Sequence, residues 1–141
     1  MSITVAPVGN SRILSVGTYR PKRVVPNSEI VDRIDSTDEW IVQRTGIESR
    51  RFAGDDETVI SMAKAACEIA LKRAKLTIAD IDTVILSTIS YPFQAPSAAT
   101  ELINELGNPK AAAFDISAAC AGFCYGVAMG SDLVRSGTSK N

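Results

Sequence analysis

The sequence contains no histidine at all. A cysteine–histidine pair cannot be assembled from this chain alone, and neither can a zinc site with imidazole ligands. Cysteine is scarce, with only Cys67, Cys120 and Cys124 present. An odd, sparse set is no disulfide framework and points to a reducing, cytoplasmic setting. Cys120 and Cys124 stand one helical turn apart, but two thiols without further ligands make a poor metal site, and no metal is expected. Neither sign of charge is in excess, with 15 Lys and Arg against 16 Asp and Glu. Nothing therefore points to nucleic acid or to an anionic membrane. No apolar run is long enough to span a bilayer. The stretch Met1-Ser2-Ile3-Thr4-Val5 lacks the basic-then-apolar plan of a secretory signal. What remains is an ordinary globular composition, 45% hydrophobic and 22% charged over 141 residues, enough for one domain with a core.

Alternating signals organise the chain. Ile13-Leu14-Ser15-Val16-Gly17 predicts a first strand ended by glycine. Tyr19-Arg20-Pro21 and Val24-Val25-Pro26-Asn27 punctuate a loop. Asn27 or Ser28 is placed to cap a short helix with Ile30, Val31 and Ile34 inward. Ser36-Thr37-Asp38-Glu39 fits a capping box with Ser36 at the N-cap, opening a helix through Arg44 that Gly46 ends. Thr58 to Lys75 is an amphipathic helix in which Cys67 reads as packing. Asp82 to Thr88 is a buried strand. Ser97 caps a helix closed by Gly107 and Pro109. Ala111 to Ile116 is a second buried strand, and Ala121 to Val134 a long helix. This order of strands and helices predicts an α/β fold with mainly parallel strands and ligand sites at their carboxyl ends. Gly137 ends the last helix where a further strand would be expected, so the chain reads as part of a larger α/β protein.

Two places carry candidate chemistry. Cys120 falls at the corner where a buried strand turns into a helix, and unpaired N–H groups with the helix dipole favour negative charge there. That setting suits a thiolate nucleophile. The plain alternative is a buried structural cysteine. Trp40 and Arg44 lie on one helix face, and an indole beside a guanidinium suits a planar, phosphorylated ligand such as an adenine nucleotide. The plain alternative is a half-buried tryptophan with an arginine stem against it. Gly122, Gly126 and Gly130 form a stripe that costs about 1 kcal/mol per glycine. The stripe predicts close backbone packing and a central, buried helix.

The stretches Asp38-Glu39-Trp40-Ile41-Val42-Gln43-Arg44-Thr45-Gly46-Ile47 and Phe114-Asp115-Ile116-Ser117-Ala118-Ala119-Cys120-Ala121-Gly122-Phe123 resemble the β-ketoacyl-acyl carrier protein synthase III family. The resemblance runs from about Ile13 to Asn141. It implies the N-terminal half of a thiolase-like fold, spanning 1–141: a mixed, mainly parallel sheet with helices on both faces and a buried nucleophile helix. It further implies a homodimer and a decarboxylative Claisen condensation of acyl-CoA with malonyl-acyl carrier protein. Coenzyme A enters as a thioester substrate, and no cofactor is implied.

Residue by residue, the resemblance makes Cys120 the acyl acceptor, with its backbone N–H in the oxyanion hole. Trp40 and Arg44 match positions that hold the nucleotide of coenzyme A. Ser36 matches a position near the adenine that often carries threonine. Ala95 matches a position lining the acyl pocket across the dimer interface, where alanine leaves room for longer or branched primers. The family's decarboxylating histidine and asparagine match nothing here, so the chain alone is expected to be catalytically incompetent. Two other readings stand beside this one: a ketosynthase of a polyketide or alkene pathway, and a non-catalytic nucleotide-binding or interaction module.

Overall fold

A computed structural model describes residues 9–141. In chain order the elements are β1 (Arg23–Pro26), α1 (Val31–Ile34), α2 (Asp38–Thr45), β2 (Ser49–Phe52), α3 (Val59–Ala74), β3 (Thr83–Ser87), α4 (Ala98–Leu106), β4 (Ala112–Ile116) and α5 (Gly122–Arg135). Single 3₁₀ turns precede α1, β3 and α5.

The centre is the β3–α4–β4 unit. Its strands pair in parallel from Thr83 opposite Ala112 to Ser87 opposite Ile116. Side chains alternate between the two faces of such a pair. One face carries Leu86, which packs with Ala98, Ala99 and Leu102 of α4 and Ile60 of α3 to form the core. Ser87 and Ile116 face the other way, against Gly122 and Gly126 of α5. Helices therefore cover both faces. The described strands form one parallel pair and one separate antiparallel pair, with Arg23 opposite Phe52 and Pro26 opposite Ser49.

Most helix ends follow the sequence chemistry. Thr58 opens α3 in a capping box with Ser61, their hydroxyls accepting from each other's backbone N–H at 3.1 and 2.9 Å. Ser97 accepts from the Thr100 N–H at 3.2 Å. Gly46 and Gly107 close α2 and α4 at φ 69° and 92°, the left-handed region that glycine enters without cost.

The structure corrects several expectations. Ile13 to Gly17 is no strand: no described strand lies beside it, so it has no ladder. The segment lies along α3 instead, where Ser15 Oγ donates to the Ala70 carbonyl at 2.7 Å and Arg73 Nη1 donates to the Val16 carbonyl at 2.6 Å. β1, read as part of a loop, and β2 are strands too short and too polar to show alternation; Val25 alone of the pair is buried. Asn27 opens a 3₁₀ turn rather than capping a helix, and Ile34 is exposed. Thr37, not Ser36, caps α2, accepting from the Trp40 N–H at 3.2 Å. The α2 capping box predicted with Glu39 therefore does not form. Nor is α5 buried within the described chain: Gly122 is its single buried residue, and Phe123 is 76% exposed, with Tyr125, Val127 and Met129 also open. The close approach predicted by the glycine stripe holds at Gly122 and Gly126, against the Ser87 side chain, whereas among the described residues none lies close to Gly130.

Candidate active site

The corner after β4 is built from backbone outward. Ala119 adopts φ 44°, which costs an alanine about 1–2 kcal/mol. One 3₁₀ turn, Ala119–Ala121, then feeds α5, with the Ala121 N–H donating to the Ala118 carbonyl at 2.9 Å. This sharp turn lifts Cys120 out of the strand, and its side chain is exposed. Strain of this kind persists where surroundings over-determine it, and two side chains brace the corner. Ser87 Oγ at the end of β3 donates to the Gly122 carbonyl at 3.0 Å, tying the start of α5 to the neighbouring strand. The Asp115 carboxylate accepts the Ala98 and Ala99 N–H groups at 2.8 and 2.7 Å, tying β4 to the start of α4.

Cys120 and the loop bearing Ala95 thus leave the carboxyl ends of adjacent parallel strands. An open cleft of about 470 Å³ lies there, lined by Thr88, Tyr91, Phe93, Asp115 and Ser117 among others. Neither Cys120 nor Ala95 lines this cleft, and Ala95 is exposed. The Glu101 carboxylate nearby and burial push the Tyr91 hydroxyl up to about 12, and this buried hydroxyl has no hydrogen-bond partner among the described residues. Cys67, in contrast, packs against the core, and burial raises its thiol first, with the Glu68 charge adding to the effect.

α2 carries the second constellation. Arg44 Cζ lies 5.9 Å from the centroid of the Trp40 ring, a cation–π pair at helical spacing. Trp40 is 56% exposed, so part of the indole stands open beside a guanidinium. Ser36 lies two residues before the helix, and its hydroxyl is buried without a hydrogen-bond partner. Among the described residues no group of His, Cys, Asp and Glu is arranged to hold a metal ion. No helix of the described chain is long and apolar enough to cross a membrane.

Sequence reasoning passed over Asp115, Ser87 and Ala119, and took Asn27 only as a candidate helix cap. A lone carboxylate inside an apolar strand signalled Asp115, because a buried charge needs donors. The others carried no local signal, since their partners lie far along the chain.

A profile of the family described as 3-oxoacyl-[acyl-carrier-protein] synthase III matches residues 114–141. The β-ketoacyl-[acyl-carrier-protein] synthase III of Kocuria rhizophila is 50% identical over 135 residues, covering 96% of this chain and 38% of the relative. The chain is similar to part of a ketosynthase III. Among solved structures, the priming β-ketosynthase of a polyketide biosynthetic pathway superposes with TM-score 0.89 at 45% identity, covering 99% of this chain and 42% of that one. The 3-oxoacyl-[acyl-carrier-protein] synthase III of Aquifex aeolicus superposes with TM-score 0.85 at 39% identity, covering 92% of this chain and 41% of that one. The fold is accordingly the thiolase-like fold of these ketosynthases, over the part of it that the chain spans. That span is well under half the length of the relatives matched.

Proposed function

We propose that this chain is the N-terminal, nucleophile-bearing half of a β-ketoacyl-acyl carrier protein synthase III and that Cys120 accepts the acyl group. The observation carrying this reading is an exposed thiol on a strained turn at the carboxyl edge of a parallel strand pair. The Cys120 thiolate attacks the thioester carbonyl of acyl-CoA. The Cys120 N–H stabilises the oxyanion, the carbon–sulfur bond to coenzyme A breaks, and the departing thiolate takes up a proton. Malonyl-acyl carrier protein then binds and loses carbon dioxide. Its carbanion attacks the acyl-cysteine, releasing β-ketoacyl-carrier protein and restoring the thiolate.

Trp40 stacks on the adenine and Arg44 pairs with phosphate, while Ser36 stands near the adenine ring. Ala95 lines the acyl pocket at a homodimer interface. The chemistry needs no cofactor beyond the coenzyme A thioester, and the three free cysteines favour action in the cytoplasm. The groups for decarboxylation belong to the other half of the enzyme, since this chain holds no histidine. A priming role in polyketide assembly is the second reading, favoured by the 45% identity to a priming β-ketosynthase.

Iodoacetamide labelling followed by peptide mapping tests the nucleophile, with Cys120 alkylated ahead of Cys67 and Cys124. Equal or slower labelling of Cys120 contradicts its role. Turnover of malonyl-carrier protein by the purified chain contradicts the division into halves.

A further inference from the structure

Helix α2 has little packing to hold it, since Ile41 is its single buried side chain. It is gripped by Asn27 instead. Asn27 is 1% exposed, and its Nδ2 donates both protons across the helix ends. One goes to the Asp38 carboxylate at 2.6 Å, at the first residue of α2, and the other to the Ile47 carbonyl at 2.8 Å, just past the Gly46 cap. An amide nitrogen has two donors, and both are used here. The reverse amide orientation would set oxygen against two oxygens. The Asn27 N–H also donates to the Glu48 carbonyl at 3.2 Å, fixing the chain that leaves the helix. The side-chain oxygen is buried without a partner, so the clamp rests on these donors alone.

We propose that Asn27 is a positioning residue for coenzyme A: by clasping both ends of α2 it holds Trp40 and Arg44 in the stacked arrangement that receives the nucleotide. The inference rests on the coenzyme A reading of that pair. The bond to Asp38 is charge-assisted, the stronger kind, whereas the exposed Trp40–Arg44 contact is too weak to orient a helix by itself. Loss of the clamp leaves α2 in several orientations, only a fraction of which bind, and affinity falls by that fraction.

The test is a titration of this chain with coenzyme A, read by quenching of Trp40, the sole tryptophan. Asn27→Ala weakens binding about tenfold, as expected for loss of two buried hydrogen bonds, and lowers the anisotropy of Trp40 emission. Asp38→Ala removes one arm at an exposed position that leaves no cavity. Removing a negative charge beside an anionic ligand would by electrostatics alone tighten binding; the clamp predicts the opposite sign, a weakening of about threefold. If Asn27→Ala does not fold, Asp38→Ala decides. Coenzyme A that leaves Trp40 of the unaltered chain unquenched overturns the nucleotide reading, and this inference with it. Binding by the unaltered chain that is equally tight in Asn27→Ala, or tighter in Asp38→Ala, overturns the inference alone.

Discussion

Asp115 and Ala95 sit at the same edge of the β3–β4 pair with opposite duties. The Asp115 carboxylate satisfies two N–H groups at the start of α4, where a helix leaves donors without partners and a negative charge is favoured. Asp115→Asn turns one acceptor into a donor facing an N–H. It should lower stability by about 1–2 kcal/mol, read as a fall in the urea midpoint at unchanged slope. A midpoint equal to that of the unaltered chain would mean that the carboxylate is dispensable. Ala95 makes no structural bond of this kind, so a change there should act on substrate choice. Ala95→Phe should slow transfer of branched or longer acyl groups to Cys120 while leaving acetyl transfer nearly intact. An acyl-CoA length series reads this, and an unchanged preference for short primers in both proteins would sink the pocket assignment.

At the scale of elements, legibility followed locality. α3 and α4 declared themselves because each carries its own period and caps, and β3 and β4 because each is a short apolar run of strand length. The corner at Cys120 was placed correctly for the same reason: an apolar strand meets an apolar helix within a few residues. Elements stabilised by distant partners were not legible. Ile13 to Gly17 has strand composition, yet it lies on α3, and only the fold reveals why position 17 is glycine. A Cβ there would meet the Ala66 carbonyl oxygen at 1.9 Å and the Ala70 nitrogen at 2.7 Å, both backbone atoms. Gly17→Ala should therefore push this segment off α3 and cost about 1–3 kcal/mol or more. Faster hydrogen exchange along the flanking segment would accompany that loss. Ser36 shows the converse error: its capping pattern with Glu39 was legible, but Thr37, one residue later, makes the bond.

Across the whole molecule, Glu57 joins parts that the sequence keeps apart. It is buried, accepts from the Tyr19 hydroxyl, and takes the Lys22 and Gly54 N–H groups at 3.1 and 2.9 Å. The Tyr19 hydrogen bond and then the Gly54 N–H hold its carboxyl below the ordinary 4.5. A carboxyl lowered by folding contributes fully above its unfolded value, and that contribution drains away as pH falls through the lower folded one. Glu57→Gln should be less stable than the unaltered chain at pH 7, with the gap closing as the pH falls below that ordinary value. Parallel stability curves would contradict the assignment. At the same scale, α5 stands open on more than one side, with Phe123 and Val127 exposed along one and Tyr125 and Met129 along the other.

The central claim is that Cys120 takes an acyl group from coenzyme A. Intact-protein mass spectrometry after incubation with acetyl-CoA, followed by peptide mapping, tests it most directly. One acetyl group on Cys120, released by hydroxylamine and absent from Cys120→Ser, is the result predicted. Acetylation that persists in Cys120→Ser, or none in the unaltered chain while Trp40 quenching shows coenzyme A bound, would contradict it.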